Sequence, residues 1–370
     1  MRRMSNSSRR QFLQTSTLGL TAAALRRTGA QAASIIDCHA HWVGPRVVEL
    51  LAPRSSPRPP QGAGWFDIDA RLRQMDEAGV QRQLLAWVGG SFDGAVPPGE
   101  ARPLWRAQND DLAALVRKYP ARFSALASVP TANVAWAAEE LTRAHTELGL
   151  IGAVLPLDAF VSLAGARALA PIFEVAQKLR SHVFVHRGAA GAQIPGQQAE
   201  TGPVNAYFGL PLPGAGAPAS PAVPGDNVSA RTLLATAAHL ATGVVTLALT
   251  DFLDPYPDVT VQVAMMGGAI SYVAEHVQMV AEDAGAPLPA RRLKSVYLDT
   301  GQSGRGPRGI ALAAKVFGAD RILFGTDSGP VATIGPTIAS VKQADLSADQ
   351  RSMILSGNAR RLLAAKGVSV

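Results

Sequence analysis

The chain has 370 residues, of which 47% are hydrophobic and only 17% charged. That composition supports a full core and excludes a disordered chain, a coiled coil and, with Cys38 as the single cysteine, an intrachain disulfide framework. The formal charge of +7 does not mark a nucleic-acid binder, because six arginines and no acid fall in residues 1–33 and the remainder stands near +1.

Residues 1–33 have signal-peptide anatomy. Basic residues lead, an apolar run from about Thr15 to Leu25 follows, and Ala30-Gln31-Ala32 ends the segment with small residues. Ser8-Arg9-Arg10-Gln11-Phe12-Leu13 resembles a twin-arginine export signal. The resemblance implies the twin-arginine export machinery as a partner and a periplasmic or extracellular location; the competing reading is a basic tail. The apolar run is too short for a permanent membrane span, and the other long apolar segments carry turn residues.

Residues 34–370 alternate short β-prone runs with helix-like stretches. The expected strands are Ile35–His41, Gln83–Val88, Phe123–Pro130, Leu150–Leu157, His182–His186, Val259–Met266, Ser295–Asp299 and Arg321–Asp327. Most are apolar without clean alternation, as in parallel strands buried on both faces. The expected helices are Asp67–Ala78, Trp105–Lys118, Ala132–Leu148, Leu163–Leu179, Ala230–Leu240, Ile270–Ala284 and Gly309–Phe317, with a helical tail over Leu346–Val370. Glycine just past several of them fits C-capping. Eight such units in one domain predict an α/β fold, a (β/α)8 TIM barrel with parallel strands. Two long loops interrupt the pattern, Pro53–Gly64 and residues 188–227. In a barrel, loops after strands lie on the catalytic face, so each reads as a lid or substrate wall, or else as surface decoration.

The chemistry concentrates at strand ends. In Asp37-Cys38-His39-Ala40-His41 the strand period of two puts His39 and His41 on one face. Two adjacent neutral imidazoles can share a metal ion. Two polar residues on a solvent-facing strand would be the plain alternative, but the strand is apolar upstream. Cys38 faces the other way and reads as a small buried hydrophobe. Asp37 is placed to orient a histidine or to bond across the barrel. His186 ends the fifth strand and Asp327 the eighth, and in a closed barrel strand eight adjoins strand one. His39, His41, His186 and Asp327 therefore form a candidate mononuclear site, with Asp327 as the catalytic proton acceptor from a metal-activated water. The donor mix fits Zn(II) first, with Mn(II), Fe(II) or Co(II) as alternatives. Arg187, Trp42 and Arg46 flank these residues as candidate substrate contacts, each with a packing or ion-pair alternative.

These features together resemble the amidohydrolase superfamily, in the group that includes aminocarboxymuconate semialdehyde decarboxylase-like proteins. The resemblance spans Asp37–His41, Tyr119-Pro120-Ala121-Arg122-Phe123, the His186 strand end, Tyr297-Leu298-Asp299-Thr300, Phe324–Asp327 and Gly357-Asn358-Ala359. It implies His39, His41, His186 and Asp327 as metal ligands, and it suggests a homodimer. One position departs. Such families place a histidine after the sixth strand, an acid/base or substrate-polarising group in the decarboxylase-like members, and here Met265 stands there. A thioether can do neither job. The fourth strand ends without the lysine that bridges two metals in other relatives, which favours one ion. The sequence reading therefore puts a metal-dependent hydrolase of a small ester, lactone or amide first. A nonoxidative decarboxylase of a small unsaturated or aromatic acid is the alternative, and an exported barrel of lost or marginal activity a third.

Overall fold

In the computed structural model the described residues are 34–53, 63–87, 98–188, 190–191, 194–195, 225, 227–285, 290–304, 306–329 and 334–370. The export segment 1–33, most of the 188–227 loop and residues 54–62 lie outside them. The strand segments are β1 (Ile35–His41), β2 (Val80–Ala86), β3 (Phe123–Ala125), β4 (Ala127–Ser128), β5 (Gly152–Pro156), β6 (His182–His186), β7 (Thr260–Val263), β8 (Val296–Asp299) and β9 (Ile322–Leu323). All pair in parallel and in chain order, β1-β2-β3 and then β4 through β9. β3 and β4 are one run that changes partners at Leu126, whose N–H donates to Leu85 O while Ala127 registers with Ala153. At the other seam, Cys38 N–H donates to Phe324 O and His41 N–H to Ser328 O, so the last strand hydrogen-bonds back to the first. This is the expected parallel α/β barrel, its strands covered by helices and buried except at Gln81, Thr260 and Tyr297.

The helices are α1 (Pro45–Leu51), α2 (Ile68–Ala78), α3 (Pro98–Lys118), α4 (Val134–Thr146), α5 (Leu163–Ala168), α6 (Ala170–Leu179), α7 (Val228–Ala248), α8 (Ile270–Asp283), α9 (Pro307–Phe317), α10 (Ile334–Gln343), α11 (Ala348–Ser352) and α12 (Asn358–Ala365). Side-chain caps explain several starts: Asp67 accepts from Ala70 N, Asn133 from Trp136 N, and Ser347 with Gln350 forms a capping box. Gly79, at φ +71°, ends α2 and turns the chain into β2 three residues earlier than expected.

Two helices differ from expectation for physical reasons. The stretch Leu163–Leu179 is two helices, because Pro171 in the first turn of α6 lacks an N–H and disfavours the helical conformation before it. Conversely, α7 runs through Gly243 instead of stopping at Leu240. Gly243 is there for space: a Cβ would stand 2.5 Å from Leu157 Cδ1. The residues 230–248 are long and apolar enough to cross a membrane by length and composition, but Leu240, Val244, Leu247 and Ala248 are buried within the helix layer. The tail lies under the N-terminal ends of the strands. Asn358 Nδ2 donates to Ala319 O and Ile322 O, and Lys366 Nζ to Arg180 O.

Candidate metal centre

β1 presents His39 and His41 on one face and buries Cys38 and Ala40 on the other. The two Nε2 atoms stand 3.1 Å apart. Asp327, just past β9, points Oδ1 at both, 2.9 Å from His41 Nε2 and 3.2 Å from His39 Nε2. It does so from a left-handed backbone, φ +59°, a conformation that aspartate tolerates better than most residues. His186, at the end of β6, brings its ring to 4.9 Å from both other imidazoles, centroid to centroid. One ligand atom from each of the four lies within 4.8 Å of the others, and all four residues are buried.

The second nitrogen of each ring fixes which atom points inward. His39 Nδ1 contacts Asp299 Oδ1 at 2.9 Å, His41 Nδ1 contacts Ala86 O at 3.1 Å, and His186 Nδ1 contacts Arg187 O at 2.9 Å. Each of those oxygens can only accept, so each Nδ1 carries the proton and each Nε2 offers a lone pair. His186 Nε2 is buried with no hydrogen-bond partner, an arrangement costly for a polar atom that binds nothing. Three oriented imidazole nitrogens and one carboxylate oxygen fit a single divalent cation.

The electrostatics agree. Burial works against a charge on His39, yet the carboxylates of Asp299 and Asp327 lift its pKa to about 10. For Asp327 burial opposes ionisation, but His39 and His41 hold it well below the usual carboxylate range. His186 is pushed well below its ordinary value by burial and by His41 and His39. The field of the two carboxylates thus favours positive charge at the centre of the cluster.

Asp37 bonds across the barrel seam. Its Oδ1 accepts from His39 N and Thr326 N, its Oδ2 from Thr326 Oγ1 and Gln83 Nε2. Burial raises its pKa, opposed by these hydrogen bonds. The other flanking residues separate. Arg187 is exposed beside His186. Arg46 is committed elsewhere, with Nε 2.5 Å from Asp111 Oδ1. Trp42 is buried, its Nε1 donating to Phe66 O at 3.4 Å. Met265 follows β7 directly and its N–H donates to Asp299 Oδ1 at 3.1 Å, so its backbone is one carboxylate away from His39.

Three groups escaped the sequence reading. Asp299 orients His39, but a strand-end carboxylate gives no sign of whether it binds metal or a ligand's back side. Trp65 packs 6.0 Å from the His41 ring, in a short turn that begins where a loop was expected. Arg71, buried on α2, donates from Nη2 to His41 O at 2.5 Å and to Gly64 O at 2.9 Å, and from Nη1 to Gln83 Oε1 at 3.0 Å.

The profile of the amidohydrolase family Amidohydro_2 matches residues 36–364. The chain belongs to that family. A 2-amino-3-carboxymuconate-6-semialdehyde decarboxylase of Dictyostelium discoideum is 32% identical over 121 residues, 33% of this chain and 34% of the relative, so the match spans about a third of that relative's length. The fold is that of the 5-carboxyvanillate decarboxylase from Sphingomonas paucimobilis, with TM-score 0.70 at 20% identity over 90% of this chain and 99% of the other. It is also similar to a dihydroxybenzoic acid decarboxylase from Polaromonas sp. JS666 solved with bound manganese and the inhibitor 2-nitroresorcinol. That pair has TM-score 0.65 at 22% identity over 90% of this chain and 97% of the other. The three relatives just given of this amidohydrolase-family chain are decarboxylases.

Proposed function

We propose that the protein is a metal-dependent nonoxidative decarboxylase of small aromatic acids. The observation that carries the reading is the cluster of three Nε2 atoms, each fixed by its own Nδ1 contact, around Asp327. The decarboxylase relatives favour this chemistry over the hydrolysis that the sequence alone put first.

In this reading His39, His41, His186 and Asp327 hold one divalent ion. The ion would supply a Lewis acid that binds and polarises a carboxylate with a neighbouring ring oxygen. Zn(II) suits the donor set, and the manganese in a structural neighbour makes Mn(II) the competing identity. Arg187, exposed next to His186, would hold an anionic substrate through its planar fork. Trp65 beside His41 offers a flat wall to an aromatic ring. Arg46 and Trp42 stay with packing, since their polar atoms are already engaged. Asp327 keeps its charge over the working pH range, because His39 and His41 hold it ionised. Export through the twin-arginine route to the periplasm or the outside, and assembly as a homodimer, belong to the same proposal.

The test uses protein purified without added metal. The ion is counted per chain, removed by chelation and restored. Dihydroxybenzoates, 5-carboxyvanillate and a matched set of esters, lactones and amides are then assayed for carbon dioxide and for simple acid release. Carbon dioxide that disappears on chelation and returns with the ion supports the reading; ion-dependent acid release alone overturns it.

A further inference from the structure

The four-residue cluster is also held from below, by a file of side chains that runs down the barrel interior to its floor. Gln262 on β7 is the middle member and is wholly buried. Its Nε2 donates to Asp299 Oδ2 at 2.7 Å and to Cys38 O at 3.1 Å. A carboxylate oxygen and a backbone carbonyl accept, so the amide can stand only one way round. Its Oε1 therefore faces His182 Nε2, 3.1 Å away, and that nitrogen carries the proton. His182 Nδ1 in turn accepts from Thr260 Oγ1 at 3.0 Å, where β6 and β7 begin. Burial lowers the His182 pKa to about 4, so the ring is neutral near pH 7 and each hydrogen bond in the file has a fixed direction.

Two features aim this file at His39. β1 carries an extra residue beside it, since Asp37 pairs with Gln83 but Ala40 with Leu85. Cys38 O lies inside that bulge and accepts from Gln262. Gln262 thus grips the peptide before His39 with one N–H and, through Asp299, the imidazole itself with the other. Phe184, which registers with Gln262, packs edge-on against the same imidazole, 4.9 Å between centroids. A buried amide is costly unless its polar groups are paired. All three partners of this one, Asp299, Cys38 and His182, lie on the line from the floor to His39.

Resting on the proposed one-ion centre, we infer that Gln262, anchored on His182, is a positioning residue for that centre. It holds the Asp299 carboxylate so that Oδ1 stays on His39 Nδ1 and His39 keeps Nε2 turned toward the ion. Without the Gln262 amide only Oδ1 of Asp299 is tied, by Met265 N, Gly301 N and His39 itself, and the carboxylate can pivot about that oxygen. The His182 ring, fixed at its other nitrogen by Thr260, keeps the amide from turning over.

The experiment measures the affinity for Zn(II) and for Mn(II), by competition against a chelator, in wild type, Gln262→Met, Asp299→Asn and the double variant. Gln262→Met should weaken binding about 10-fold, the low end for a partner behind a metal ligand. In the Asp299→Asn background the same substitution should cost nothing further, because its route to His39 is already altered; two unconnected structural losses would add. The visible absorption bands of the Co(II)-loaded protein, which report ligand geometry, should move the same way in both single variants and no further in the double. If Gln262→Met does not fold, His182→Asn tests the same line from its floor end, with a smaller loss of affinity that vanishes in the Asp299→Asn background. Affinity in Gln262→Met within about twofold of wild type, or losses that add in the double variants, overturns the assignment while leaving the ion centre standing. A wild type that takes up no divalent ion removes both.

Discussion

His39 Nδ1 and Asp299 Oδ1 lie 2.9 Å apart, both wholly buried, on strands at opposite ends of the chain. The same oxygen accepts from Met265 N and Gly301 N, and Asp299 Oδ2 accepts from Gln262 Nε2. One carboxylate thus sets the tautomer of His39 and pins the turn after β7. Asp299→Asn should keep the shape but lose the charge that supports His39. Metal affinity, read by competition against a chelator, should fall roughly 10–100-fold. Unchanged affinity would mean that His39 is not held this way.

Met265 reaches the centre through its backbone N–H, not through its thioether. Met265→Leu should therefore leave ions per chain unchanged and cost less than about 1.5 kcal/mol in denaturant unfolding, as volume-conserving apolar exchanges do. Loss of the ion in this variant would place the sulfur in the chemistry.

Arg71 ties the strand that carries His39 and His41 to the loop that precedes α2, through His41 O and Gly64 O. Burial lowers its pKa to about 10, with Asp37 opposing. Arg71→Met would leave three acceptors, His41 O, Gly64 O and Gln83 Oε1, without this donor and Asp37 without a nearby cation. Stability should drop by about 3 kcal/mol or more, and metal affinity should drop with it. An exposed-surface-sized effect, within about 0.5 kcal/mol, would contradict the role.

His182 gives a pH test away from the metal. It is fully buried, and burial, helped by Lys366, lowers its pKa to about 4 from an ordinary 6.5. The unfolded chain takes up a proton below 6.5 while the folded chain does not until about 4. Stability should therefore fall as pH drops through that window, by on the order of 3 kcal/mol, and level off below it. In His182→Asn the slope of unfolding free energy between those pH values should shrink; an unaltered slope would assign the acid sensitivity to other groups.

The clustered residues were readable because barrel chemistry sits at strand ends and strands alternate with period two. His39 and His41 follow from that rule, and His186 and Asp327 from their positions in an apolar run. The seam contacts made by Asp37 follow from it as well. What surrounds the ligands was not readable. Arg71 looks like any polar residue on a helix, and only the folded chain shows its guanidinium under His41. Gly243 looks like a helix stop, but the close approach of Leu157 makes it a packing position inside α7. The short helices α1 and α10 were missed because each follows a loop and offers too few residues for a periodic signal. The preference for hydrolysis came from reading Met265 as the loss of an acid/base group.

The most direct measurement of the account is the fate of a carboxyl-13C-labelled dihydroxybenzoate with the metal-loaded protein. One labelled carbon dioxide should appear for each ring product formed, with the signal lost on chelation and in Asp327→Asn. Label that stays in the carboxylate, while the same preparation cleaves an ester, lactone or amide in an ion-dependent manner, would contradict the decarboxylase assignment.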